Sequence, residues 1–206
     1  MTNTEDIQPV NRLAAPRSKV LFLGFGREKT KIIDLLIGAD VEVWHSEDVI
    51  ADTGGYDLVI SFGYRHILTK TVIDNATCPI LNLHISYLPY NKGAHPNFWA
   101  FFEETPSGVS IHEIDYGIDT GDLIYRREVQ FDRRTQTFAE TYEILNREVE
   151  ALFIENFDEV LSNKFSSAPQ VGKGSYHRMA DLPNAFAGWD SNIETEIARL
   201  INAVKG

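Results

Sequence analysis

The first half of the chain alternates short apolar runs with stretches of helical periodicity. Lys19–Gly24 (KVLFLG) is an apolar run closed by glycine, as suits a strand buried on both faces. Glu28–Gly38 carries Ile32, Ile33, Leu35, Leu36 and Ile37, and Gly38 makes a natural helix stop. Val41–Trp44 and Asp57–Phe62 read as two further strands, and Ile80–His84 as a fourth after a short helical stretch at Thr69–Asn75. Strands alternating with helices predict an α/β fold with a mostly parallel, doubly wound sheet.

The second half changes period. Phe98–Glu104 reads as helix, and Gly108–Asp115 and Leu123–Val129 as strands separated by the turn-rich segment Tyr116–Gly121. Phe138, Tyr142, Leu145, Val149, Leu152, Phe153, Phe157 and Val160 recur at spacings of three and four, which predicts one long amphipathic helix. Gly172, Gly174 and Pro183 break up the tail before a terminal helix over Asn192–Val204. The expected organisation is a disordered lead-in over 1–18, a Rossmann-like catalytic domain flanked by helices over 19–164, and a short C-terminal extension over 165–206.

Charge narrows the partners. With 19 basic and 30 acidic residues the net charge is −11, which opposes docking of a polyanion such as tRNA, so no nucleic-acid partner is expected. Cys78 is the single cysteine, and the histidines at 45, 66, 95, 112 and 177 are scattered, so no metal site is expected. The polar start, with no long apolar stretch in the sequence, predicts a cytoplasmic protein without a membrane partner. Each of those five histidines is read as an ordinary core or surface residue, except that His66 and His95 sit on candidate site loops.

The strand Ile80–His84 carries the candidate chemistry. Side chains alternate along a strand, so Asn82 and His84 share one face while Leu81 and Leu83 share the other. An amide and an imidazole are costly inside a parallel sheet unless they meet partners, and the carboxyl end of such a strand is where open α/β sheets bind ligands. Gly24-Phe25-Gly26 resembles the start of a dinucleotide fingerprint, but Lys29 stands where the third glycine would be, so it is read as a turn near the acceptor substrate. Ser86 lacks the Gly-x-Ser-x-Gly elbow of a nucleophile.

Residues Asn82–Pro96 read NLHISYLPYNKGAHP, and Gly108–Arg126 read GVSIHEIDYGIDTGDLIYR. These two blocks resemble the amino-terminal catalytic domain of the formyltransferase family, which includes methionyl-tRNA, glycinamide ribonucleotide and sugar N-formyltransferases. The resemblance covers about Lys19–Val160. It implies Asn82, His84 and Asp119 as the catalytic set and 10-formyltetrahydrofolate as co-substrate. It also implies a pterin site formed by two loops, with Phe62, Gly63, Tyr64, His66, Ile67 and Leu68 on one and Asp115, Tyr116 and Ile118 on the other. The residue types suit amide formation: Asn82 can donate to a developing oxyanion, as can His84 when protonated, and Asp119 can hold the imidazolium or accept the amine proton. One oxyanion donor contributes roughly 3–4 kcal/mol in other acyl transfers.

The segment Pro89–Trp99, with Ser110–Asp115, looks most like enzymes that formylate amino sugars on nucleotides. The expected acceptor is therefore a nucleotide-linked amino-deoxysugar, typically dTDP-linked, made for O-antigen or related glycans, with Lys92, Asn97 and Trp99 as its candidate binding residues. Arg27-Glu28 stand where the glycinamide ribonucleotide enzymes carry Ser-Asn, and only about forty residues follow the long helix, against the barrel domain of the tRNA enzymes. Another small amine as acceptor, hydrolysis of formyltetrahydrofolate, and folate binding without turnover stay open as alternatives. Leu182, Phe186 and Trp189 of the tail could pack on the domain or form a homodimer contact.

Overall fold

The computed structural model describes residues 7–205. A seven-stranded sheet forms its centre, in the order β1-β3-β2-β4-β5-β7-β8. Its strands are β1 (Gln8–Pro9), β2 (Ser18–Gly24), β3 (Val41–Ser46), β4 (Leu58–Phe62), β5 (Ile80–His84), β7 (Gly108–Glu113) and β8 (Leu123–Glu128). The pairs β3–β2, β2–β4 and β4–β5 are parallel, as expected from the alternation with helices. β7 and β8 form an antiparallel hairpin beside β5, so the sheet is mixed at that edge.

Both faces of the sheet are covered. Val20, Phe22, Ile60, Leu81 and Leu83 pack on one face against α1 (Ile32–Gly38), α4 (Phe138–Glu155) and α5 (Phe157–Leu161). Leu21, Leu23, Val59 and Ile80 pack on the other with Val72 of α2 (Lys70–Asp74). The predicted long helix divides at Asn156, whose Nδ2 donates back to the Leu152 carbonyl at 2.7 Å. Such a side-chain bond competes with the helical ladder and ends α4 there. At its start α4 is closed by a capping box: Thr137 Oγ1 accepts from Glu140 N, and Glu140 Oε2 accepts from Thr137 N.

One expectation needs correction. The lead-in is structured from Ile7 on; residues 1–6 lie outside the described residues. β1 pairs with β3, and Asn11 bonds both the Val41 carbonyl and Val43 N, so polar groups tie this segment to the sheet edge without an apolar run to announce it. The C-terminal extension folds back onto the domain, one of the two placements expected for its apolar residues. Ile193, Ile197 and Leu200 of α6 (Ile193–Lys205), with Leu182 and Phe186, pack against Phe98 and Phe101 of α3 (Pro96–Phe102) and against Phe138. Trp189 lies against Phe186 and His95. Earlier in the extension, β9 (Tyr176–His177) pairs in parallel with β6 (Lys92–Gly93), a second small sheet that the sequence pattern does not signal.

Candidate active site

A cavity of about 530 Å³ lies over the carboxyl ends of β2, β4 and β5, where Phe25, Phe62 and His84 line it. Open α/β sheets bind ligands at this end. Strand register decides what meets there. Asn82 on β5 stands opposite Ser61 on β4 and His112 on β7, and His84 stands opposite Ser110.

The turn between β7 and β8 delivers Asp119 to the same place. Asp119 adopts a left-handed backbone (φ 54°), and at Gly121 a Cβ would lie 1.9 Å from the Glu113 carbonyl oxygen, so the turn folds tightly onto β7. Asp119 Oδ2 accepts from the Gly93 N–H at 2.8 Å and lies 3.5 Å from His84 Nε2. Its Oδ1 is 3.4 Å from Asn82 Nδ2 and 3.6 Å from His112 Nε2. The structure therefore brings Asn82, His84 and Asp119 together, and it adds His112 to them.

Protonation follows from these contacts. Burial drives the Asp119 carboxyl upward, but the His84 ring, the His112 ring and the Gly93 N–H outweigh it and hold the group below the usual carboxylate range. Asp119 is thus ionised at neutral pH. Burial drives His84 below its ordinary 6.5; Asp119 pulls the other way, and His112 adds to the lowering. Burial prevails, so His84 is neutral at neutral pH and its contact with Asp119 is not a standing ion pair. His84 Nε2 is buried with no hydrogen-bond partner, a polar atom available to a ligand. His112 Nδ1 lies 2.7 Å from the Glu113 carbonyl, and its Nε2 lies 3.2 Å from Asn82 Nδ2 and faces Asp119.

All nine residues expected at the pterin site line the cavity: Phe62, Gly63, Tyr64, His66, Ile67, Leu68, Asp115, Tyr116 and Ile118. Gly63 is required by geometry, since it has φ 67° and a Cβ there would come within 2.4 Å of the Phe25 ring. Asp115 Oδ1 accepts from Gly117 N and Thr120 Oγ1, which shapes the second loop.

The three expected acceptor residues fall elsewhere. Lys92 borders an adjoining groove of about 470 Å³ with Tyr116, Ile118 and Tyr176. Asn97 is 4% exposed, donates to the Phe138 carbonyl and accepts from Thr141 Oγ1. Trp99 is stacked on His177 at 3.9 Å between ring centroids. Asn97 and Trp99 do not line the cavity; they join α3 to α4 and to the tail, because α3 is buried over nearly its whole length. Ser86 Oγ donates to the Tyr90 carbonyl and is a loop residue.

Sequence reasoning missed His112, which carries no signal until β7 is known to pair antiparallel with β5. It also missed Tyr142 and Asn146 of α4 and Tyr176–Met179 of the tail, all of which line the cavity. Phe25 fits the reading of the Gly24–Gly26 turn as lying near the site. Among the described residues no group of three or more His, Cys, Asp or Glu could hold a metal ion, and no helix is long and apolar enough to cross a membrane.

Comparison with known proteins bears on this arrangement. A family model described as formyl transferase matches residues 47–157. The chain belongs to the formyl transferase family. The formyltransferase PseJ from Anoxybacillus kamchatkensis, solved with UDP-4,6-dideoxy-4-formamido-L-AltNAc and tetrahydrofolate, is 38% identical. That likeness has a TM-score of 0.80 and covers 88% of this chain and 98% of PseJ. A methionyl-tRNA formyltransferase of Clostridium botulinum is 31% identical over 134 residues, 65% of this chain and 43% of its own length. A dTDP-4-amino-4,6-dideoxyglucose formyltransferase of Mycobacterium bovis is 29% identical over 127 residues, 62% of this chain and 53% of its own. This formyl transferase chain spans about half the length of the curated relatives it matches.

Proposed function

We propose that this chain transfers the formyl group of 10-formyltetrahydrofolate to the amine of a nucleotide-linked amino-deoxysugar, giving a precursor for O-antigen or a related glycan. The observation that carries the reading is the convergence of Asn82, His84 and Asp119 in one cavity, with an unpartnered His84 Nε2 and an ionised Asp119. The loops at 62–68 and 115–118, expected to hold the pterin, form part of the wall of the same cavity, which supports folate binding there. The likeness to PseJ, which covers nearly all of that enzyme, supports a UDP-linked 4-amino sugar over the dTDP-linked sugar expected from sequence alone.

The bound folate would supply the formyl carbon. Asn82 Nδ2, held at 3.2 Å and 3.4 Å by its neighbours, can turn one N–H to the formyl oxygen as negative charge develops there. Neutral His84 accepts the proton of the attacking amine at Nε2, and the adjacent Asp119 carboxylate stabilises the resulting imidazolium. From that position His84 can return the proton to the departing folate nitrogen, which is a poor leaving group when unprotonated. His84 thus acts first as a base, where sequence alone suggested a protonated oxyanion donor.

The test is incubation with 10-formyltetrahydrofolate and a set of amines: UDP- and dTDP-linked 3-amino and 4-amino dideoxysugars, glycinamide ribonucleotide, and no acceptor. Tetrahydrofolate release and acceptor mass are followed together. Formylation of a nucleotide-linked amino sugar supports the reading. Tetrahydrofolate released without acceptor would make the chain a hydrolase, and no turnover with any amine would reduce it to a binding module.

A further inference from the structure

The family match ends at residue 157, yet the tail beyond it grips the Asp119 turn from two sides. Gln170 Nε2 donates to the carbonyl of Asp119 at 2.9 Å and to that of Gly121 at 2.8 Å. Just before it, Ala168 and Leu123 exchange backbone hydrogen bonds, which fixes the tail to the start of β8. Just after it, β9 lies along β6, with Lys92 N donating to the Ser175 carbonyl at 3.0 Å and Ala94 N to the His177 carbonyl at 2.9 Å. Between those two amides, Gly93 N points the other way and donates to Asp119 Oδ2. The backbone of Asp119 is therefore held by Gln170, and its carboxylate by an amide that β9 presents.

Asp119 needs such support, because a left-handed backbone at a residue with a Cβ relaxes unless its surroundings fix it. Gln170 can hold it in one orientation only. Both hydrogens of Nε2 are used, and the reversed amide would set Oε1 against two carbonyl oxygens. In the observed orientation Oε1 is buried without a partner. An orphaned acceptor offsets much of what two hydrogen bonds contribute, so the side chain adds geometry to the turn more than stability to the fold.

We propose that Gln170 is a positioning residue for the transfer, and that the strap at 168–177 sets the Asp119 carboxylate against His84. The kinetic part rests on the formyl-transfer reading. A displacement of about 1 Å in a reacting group can cost about 10²-fold, so Gln170→Met, which keeps the volume and removes both donors, should lower kcat by about that factor. KM for folate and for the acceptor should stay within about threefold. Amide hydrogen exchange separates positioning from simple loosening. In Gln170→Met, and in Gln170→Ala as a second variant, exchange at Gly93 should accelerate at least about tenfold while Lys92 and Ala94 keep their protection. Equal loss at all three amides, no change at any of them, or an unchanged kcat overturns the proposal. If the wild type transfers no formyl group, that failure belongs to the formyl-transfer reading, and the exchange pattern alone decides the role of the strap.

Discussion

The cavity wall formed by residues 62–68 and 115–118 comes from two uninterrupted loops, each following a strand of the sheet. The rest of the wall is composite: Phe25 after β2, Tyr142 and Asn146 from α4, and Tyr176–Met179 from the tail. The loop wall is mostly apolar and backbone-rich, with Gly63 and Gly117, and its charged groups are Arg65 on the first loop and Asp115 on the second. The composite wall contributes an amide and the exposed Arg178 guanidinium. The first type of surface suits a flat heterocycle read by backbone groups. The second suits a polar, anionic ligand such as a nucleotide diphosphate. On the proposed formyl-transfer reading, the locally built wall would take the donor and the wall built by tertiary contacts the acceptor, with Asn82, His84 and Asp119 between them.

The largest effects should come from the residues between the walls, leaving both walls intact. His84→Ala and Asp119→Asn should each lower kcat by about 10²–10⁴-fold with little change in either KM and with native circular dichroism. Near-wild-type turnover in either variant would remove the assigned role. The pH profile adds a sign. His84 must be neutral to accept a proton, and it titrates below 6.5, so the acid limb of kcat should fall below that pH. Asp119 raises the His84 pKa, so in Asp119→Asn the acid limb of the residual activity should move lower still. A limb that moves upward would contradict the pairing.

His112→Phe comes next, with an expected loss in kcat of about 10–10²-fold, since Asn82 and Asp119 lose the ring nitrogen they both contact. The two walls are then separated by KM. Arg178→Ala should raise KM for the sugar nucleotide about tenfold and leave the folate KM unchanged, as expected for one charge-assisted contact. Ile118→Ala should do the reverse, raising the folate KM by about three- to tenfold through lost apolar contact. An exchange of these two outcomes would invert the assignment of the walls. The smallest kinetic effect is expected at Asn97, away from the cavity. There Asn97→Ala should leave both KM values unchanged and lower stability by about 1–3 kcal/mol, because the Phe138 carbonyl loses a buried donor.

How much of this was legible depends on how local each feature is. Ile80–His84 announces itself by two polar residues on one face of an apolar strand, and its observed bounds are the expected ones. The strands and helices of the sheet follow from period, and their core positions from hydrophobicity. His112 was hidden because its role depends on a cross-strand register that no local pattern gives. Arg178 and Gln170 lie in a tail with no regular period, and they reach the site only through the β6–β9 pairing and the Ala168–Leu123 bridge. Asn97 and Trp99 failed in the opposite sense. Their closeness in sequence to the Asn82–Pro96 block suggested the site, but α3 turns them into the core.

The most direct measurement of the central claim is the stoichiometry of a single incubation with 10-formyltetrahydrofolate and a UDP-linked 4-amino-4,6-dideoxysugar. Tetrahydrofolate formed and sugar formylated should be equal, acceptor-dependent, and both lost in Asp119→Asn. Tetrahydrofolate formed in excess of formylated sugar, or at the same rate with no sugar present, would contradict formyl transfer to this acceptor.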